Sequence, residues 1–143
     1  MKYLPFFIVT FLGLFIGNSV NAQTKEDIAD LPVTVVPAKK KGGETMVFFM
    51  TGDGGWNEFS QKLADEYAIS GIPVVALNSL KYFWKKRTPE QAAQAVSALL
   101  YQYGQEWKKK TILLCGYSFG ADVMPFIFTR LPVDLKEKVS TIQ

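Results

Sequence analysis

The chain has 143 residues, 16 Lys and Arg against 13 Asp and Glu, a formal charge of +3, one cysteine and no histidine. That charge is too mild for a nucleic-acid surface, and a lone cysteine excludes an internal disulfide. One cysteine, no histidine and no phosphate loop imply neither a metal nor an organic cofactor, and the length suits one small domain.

Residues 1–22 have the form of a secretory signal peptide. Lys2 precedes an apolar run from Leu4 to Ile16, and Val20-Asn21-Ala22 is a small-x-small cleavage site before Gln23. The run is short for a membrane-spanning helix, the alternative being an uncleaved anchor. Loss of Lys2 lowers the charge by one, export argues further against nucleic acid, and no cysteine follows the cut to carry a lipoprotein lipid. The mature domain is then 23–143, expected to be the amino-terminal part of a longer domain.

Within it, Leu31 to Val36 and Thr45 to Gly52 are apolar, β-rich runs separated by a Lys- and Gly-containing turn, which predicts two strands. From Asn57 a helix is expected, with Phe59, Leu63, Tyr67 and Ala68 at helical spacing and Gly71 past its end. Ile72 to Asn78 is a buried strand. Thr88-Pro89-Glu90-Gln91 then combines a hydroxyl cap, a first-turn proline and a glutamine three residues past the cap, opening a helix that ends near Gly104. Thr111 to Cys115 is the next strand and Ala121 to about Arg130 the next helix, with Pro125 placed to bend it. Asp134 is expected to cap a short further turn before a last strand at Val139. Apolar strands alternating with amphipathic helices predict an α/β fold: a mostly parallel, α/β-hydrolase-like sheet with helices on both faces, truncated at its carboxyl end. The Cys115 strand is expected to be central, and Cys115 itself a buried, inert thiol.

Gly116-Tyr117-Ser118-Phe119-Gly120 fits G-x-S-x-G between a strand and a helix, the context in which a serine is raised on a sharp turn as a nucleophile. The Phe119 backbone amide is the expected first oxyanion donor. The second is expected from the earlier glycine loop Thr51 to Trp56, where Gly54 and Gly55 leave room for a substrate to approach backbone N–H groups. Asp53, Trp56, Tyr117 and Asp122 border these turns as candidate substrate-binding residues. Trp56 either walls the pocket or packs, Asp53 either shapes the loop or meets substrate, and Asp122 suits the helix dipole at its first turn. In this architecture the acid and histidine follow the serine, and none of the residues after Ser118 in this sequence is a histidine. A lysine base is the local substitute, with Lys85, Lys86 and Lys108 to Lys110 the cations at hand. Between a strand and a helix, the segment from Lys81 to Glu90 sets three aromatics among four cations, suited to a lid, to peripheral contact with an anionic membrane, or to an ordinary solvated loop.

The glycine loop Thr51 to Trp56, the aromatic and basic segment from Tyr82 to Glu90, and Gly116 to Pro125, in that order behind a signal peptide, resemble the bacterial virulence protein family VirJ, which includes AcvB. The resemblance spans nearly all of 23–143. It implies a periplasmic hydrolase, a serine nucleophile at Ser118, an oxyanion loop at Gly52 to Trp56, and hydrolysis of aminoacylated phosphatidylglycerol, notably the lysyl form. It also implies a link to type IV secretion, hence secretion-system proteins as partners beside a lipid or small ester substrate. Members of the family carry the acid and histidine later, so the 143 residues alone are expected to lack activity. The rival reading is a binding or assembly module on the same fold.

Overall fold

A computed structural model describes residues 28–143, so the expected signal peptide lies outside the described residues. Five strands form one sheet: β1 (Val33–Val36), β2 (Thr45–Met50), β3 (Val74–Leu77), β4 (Thr111–Gly116) and β5 (Val139–Ile142). They lie in the order β1-β3-β2-β4-β5. The helices are α1 (Glu58–Ile69), α2 (Ser79–Tyr82), α3 (Pro89–Glu106), α4 (Phe119–Arg130) and α5 (Val133–Lys138). All neighbouring strands are parallel except β1, which runs antiparallel to β3.

The expectation that the Cys115 strand is central is corrected. The centre is β2, apolar and buried from Met46 to Met50, and β4 stands one strand from the edge with β5 beside it. The strands β1 and β2, adjacent in sequence, do not pair; β3 separates them. Hydrophobic burial explains this placement: β2 has an apolar residue on both faces at nearly every position and needs cover on both sides, whereas β1 leaves Val35 exposed and tolerates an edge.

Alternate β2 residues feed two cores. Met46, Phe48 and Met50 pack with Leu77, Leu114 and the α3, α4 and α5 residues Val96, Leu99, Met124 and Leu135. On the other face Val47 and Phe49 pack with Val74, Ala76, Cys115 and the small α1 residues Ala64 and Ala68. Of the stripe expected from Phe59, Leu63, Tyr67 and Ala68, Ala68 lies in this contact and the larger residues are displaced from its centre. Leu63 and Tyr67 flank the contact, and Phe59 is exposed, because small residues let the helix axis approach the sheet closely.

The expected punctuation appears. Asn57 accepts from the Ser60 amide at the start of α1, and Gly71 takes φ +85 just beyond its end. Thr88 and Gln91 form a capping box, and α3 runs two residues past Gly104 to Glu106. The helix α4 continues through Pro125 to Arg130. Asp134 is a first-turn residue of α5, not its cap; its carboxylate accepts from the Tyr101 hydroxyl at 2.8 Å. Since Met50 is level with Leu77 of β3 and with Gly116 of β4, the chain leaves all three strands at one edge of the sheet. Connections from β2 go to β3 on one side and, by way of β3, to β4 on the other, so this edge holds the reversal of strand order where α/β sheets bind ligands.

Candidate active site

Ser118 leaves β4 and enters α4 with φ 51 and ψ −121, a conformation that side-chain-bearing residues rarely adopt. Its neighbours enforce it. A Cβ on Gly116 would lie 2.6 Å from the Ala121 nitrogen, and one on Gly120 would lie 2.6 Å from the Thr51 carbonyl oxygen. Helix α4 is thereby packed against the ends of β2 and β4, and the chain has no wider route. The turn is closed by the Tyr117 N–H donating to Met50 O (3.1 Å) and by Gly120 and Ala121 amides donating to Tyr117 O and Ser118 O.

A serine at this position before a helix ordinarily caps it with its hydroxyl. Ser118 makes no such bond and is exposed, which leaves its Oγ uncommitted at the crest of the turn. Phe119, the first residue of α4, carries an amide that no helical carbonyl can accept. Asp122 is exposed in the same first turn, where its charge suits the helix dipole.

The glycine loop lies directly against this turn. A Cβ on Gly52 would stand 3.3 Å from Ser118 Cβ and 3.3 Å from Tyr117 Cδ1. Gly55, at φ +71, donates its amide to Gly52 O at 3.0 Å, so that N–H closes the loop upon itself. The space a side chain would take at Gly55 is filled by Asn78, 2.8 Å away, and by Leu80, so the room expected there for substrate is occupied. Gly54 is exposed with open space beside it, and so is Asp53. The open part of the loop is thus Asp53-Gly54.

Of the remaining candidates, Trp56 packs. Its ring meets Phe49 edge-on at 6.4 Å and its indole N–H donates to Gln61 at 3.3 Å. Tyr117 is 46 % exposed and stacks on Phe59 at 4.5 Å, forming an aromatic wall beside Ser118. Cys115, buried under the turn, has its thiol pKa raised by burial, so it stays protonated and inert at neutral pH.

Three residues that were not among the candidates support the site, Thr51 and Ser79 under the glycine loop and Phe83 against Phe119. The buried Thr51 hydroxyl accepts from the Ser79 amide (2.9 Å) and donates to Gly52 O (3.2 Å), while the Ser79 hydroxyl donates to Thr51 O (2.6 Å). Phe83 meets Phe119 edge-to-face at 5.3 Å. Hydroxyl residues directly after apolar strands were the available sequence signal for Thr51 and Ser79; their pairing required the strand register.

The lysines divide by position. Lys108 to Lys110 precede β4, a strand of six residues at about 3.3 Å each, so they stand roughly 20 Å from Ser118. Lys109 donates to Gly43 O and Lys110 pairs with Glu44 at that far edge. No side chain from this run can serve the serine. Lys85 and Lys86 lie on the same side of the sheet as Ser118, and both are exposed. Among the described residues no group of three or more His, Cys, Asp or Glu is placed to hold a metal.

With this geometry in place, comparison with known proteins decides the family. The model of the family described as bacterial virulence protein (VirJ) matches residues 44–143. The chain belongs to the VirJ family. No curated protein sequence matches it. Among solved structures it is similar to a thermostable carboxyl esterase from Bacillus coagulans (TM-score 0.61, 12 % identity, 77 % of this chain and 37 % of that one). It is similar also to a Pseudomonas aeruginosa protein described as a "probable hydrolytic enzyme" (0.58, 20 %, covering 77 % and 34 %) and to the esterase PE8 (0.55, 20 %, covering 71 % and 59 %). These likenesses establish the α/β-hydrolase fold, of which the VirJ chain here spans between about a third and three fifths of each neighbour's length.

Proposed function

We propose that this chain carries the nucleophile and the oxyanion donors of a periplasmic serine esterase that cleaves the aminoacyl ester of an aminoacylated phosphatidylglycerol. The observation that carries the reading is the Ser118 backbone: a non-glycine residue at φ 51, exposed, with a hydroxyl that caps nothing and a glycine loop against its Cβ. Structure of this kind, strained and costing about 1–3 kcal/mol, persists at sites where a side chain must be presented.

In the reaction Ser118 Oγ attacks the ester carbonyl carbon while its proton passes to a general base. The developing oxyanion accepts from the Phe119 N–H and from an amide of the Asp53-Gly54 stretch, the part of the loop whose N–H groups are not consumed by the Gly55 turn. Collapse expels the lipid hydroxyl and leaves the aminoacyl group on Ser118; water then releases it and regenerates the serine. Tyr117 and Phe59 line one side of the opening for the apolar part of the substrate. The base is the missing partner. The 143 residues hold no histidine, Lys108 to Lys110 stand about 20 Å away, and Lys85 and Lys86 are exposed without the burial a lysine base needs, so we assign the base to a part of the protein outside this sequence. Its loss in a comparable triad costs on the order of 10⁶ in turnover, roughly 8 kcal/mol.

A second reading is an assembly module of a secretion apparatus that keeps the fold without turnover, since a fold does not fix an activity. A fluorophosphonate probe separates the two in the complete mature protein. Labelling that disappears in Ser118→Ala, together with release of free lysine from lysyl-phosphatidylglycerol, is the expected result. A folded protein that takes no label supports the module. Labelling with release of lysine from no lipid substrate would retain the esterase and remove the lipid.

A further inference from the structure

The segment from Asn78 to Pro89 contributes no group to the proposed chemistry, yet it is built onto both halves of the site. Its underside is anchored. Asn78 caps α2 and fills the space at Gly55, Tyr82 is buried with its hydroxyl donating to Gln91 O at 3.2 Å, and Phe83 lies on Phe119. Its outer side is apolar and basic at once. Trp84 is 82 % exposed and Leu80 45 % exposed, with Lys81, Lys85, Lys86 and Arg87 exposed around them. Arg87 is held in place over the Tyr82 ring at 5.1 Å. From Asn78 to Pro89 there are four cations and no acid. A groove of about 540 Å³ beside it is lined by Leu80, Lys81, Trp84, Lys85 and Arg87, with Asp30 its one acidic residue.

An indole left this bare is not explained by the core, and four cations ringing it match a surface that is negative outside and apolar beneath. Tryptophan settles at the headgroup level of bilayers, and each Lys or Arg near an anionic leaflet strengthens adsorption about fivefold. Four of them together are worth several hundredfold on that scale. Among the described residues no helix is long and apolar enough to cross a membrane. Adsorption through a loop is a different mode of contact and needs no such helix.

We infer that residues 80–87 are a docking surface for an anionic lipid bilayer, seating Trp84 and Leu80 among the headgroups and turning the Ser118 opening toward them. The orientation takes its meaning from the lipid-ester reading above, while the adsorption itself requires no turnover. Because Leu80 abuts Gly55, the residue next to the Asp53-Gly54 stretch, and Phe83 abuts Phe119, docking places the bilayer close to the proposed oxyanion donors, where a headgroup ester reaches the serine without leaving the membrane.

The test uses the complete mature protein with vesicles of phosphatidylglycerol and phosphatidylcholine, and with vesicles of phosphatidylcholine alone. Sedimentation with the anionic vesicles only, weakened by 0.5 M salt, is expected. A blue shift of tryptophan emission on binding should vanish in Trp84→Phe, which assigns the inserted ring among the three tryptophans. The double variant Lys85→Glu, Lys86→Glu should bind at least about 25-fold more weakly while fluorophosphonate labelling of Ser118 in vesicle-free solution is unchanged, which shows it folded. Equal binding to both vesicle types, or variant binding equal to wild type, overturns the inference. So does capture by polyglutamate with no vesicle binding, which would assign the surface to an acidic protein. Failure of labelling in the wild type would remove the esterase and leave the adsorption result standing.

Discussion

Two residues with side chains sit at positive φ among those described, and they stand at opposite ends of the same strand: Lys108 at φ 53 just before β4 and Ser118 at φ 51 just after it. At Lys108 the conformation ends a helix. The Lys108 and Lys109 amides donate to Gln105 O and Gly104 O, satisfying carbonyls at the end of α3, and the side chain is exposed. Any residue tolerating the left-handed region would serve, and glycine would serve better. At Ser118 no side-chain bond rewards the conformation, and the surroundings are built to hold it, with Gly116 and Gly120 pressed against backbone. The same angle is thus a helix terminus in one place and an imposed strain in the other, and only the second presents a side chain to an open edge of the sheet.

The comparison breaks most severely at the enforcing glycines. Gly120→Ala puts a methyl group onto the carbonyls of Met50 and Thr51, backbone that belongs to the central strand and its exit, so a loss of at least about 3 kcal/mol is expected in denaturant unfolding. Gly43→Ala, where no atom lies within 4 Å of the added carbon, is the control and should unfold within about 0.5 kcal/mol of wild type. Comparable losses at both positions would show that the packing around Ser118 is loose and the strain not enforced.

A smaller effect of opposite sign is expected at the serine. Ser118→Gly removes the strained side chain, and even after the added freedom of the unfolded chain the fold should gain about 1 kcal/mol while fluorophosphonate labelling is lost. Stability lost together with labelling would mean that the hydroxyl supports the fold and is not held for chemistry.

Much of this was legible from residues alone, for physical reasons. Continuous apolar runs such as Thr45 to Met50 are the mark of strands buried on both faces, and the Thr88, Pro89, Gln91 arrangement is a local device whose geometry needs nothing distant. The Gly116 to Gly120 turn was legible because both glycines and both flanking elements lie within one window. What required the structure was long-range. That β2 and not β4 is central depends on which strand needs cover on two sides. That α1 docks through Ala64 and Ala68 with Phe59 outside depends on how near the helix can come to the sheet. Gly55 looks like open space for a substrate until Asn78, 23 residues away in the chain, is seen to fill it.

The smallest expected effect lies at the other end of β4. Lys108→Gly relieves a left-handed residue at an exposed helix terminus, a gain set by the roughly 1–2 kcal/mol penalty of that region less the entropy glycine adds to the unfolded chain. Only a few tenths of a kcal/mol should remain, read as a small rise in the unfolding midpoint, with no change in fluorophosphonate labelling because about 20 Å of strand separates the site from Ser118. The contrast with Ser118→Gly is what matters. Both variants relax the same φ, so a larger gain at Ser118 measures the part of the strain that the enforcing glycines impose beyond what a helix end requires, and equal gains would show that the turn imposes none.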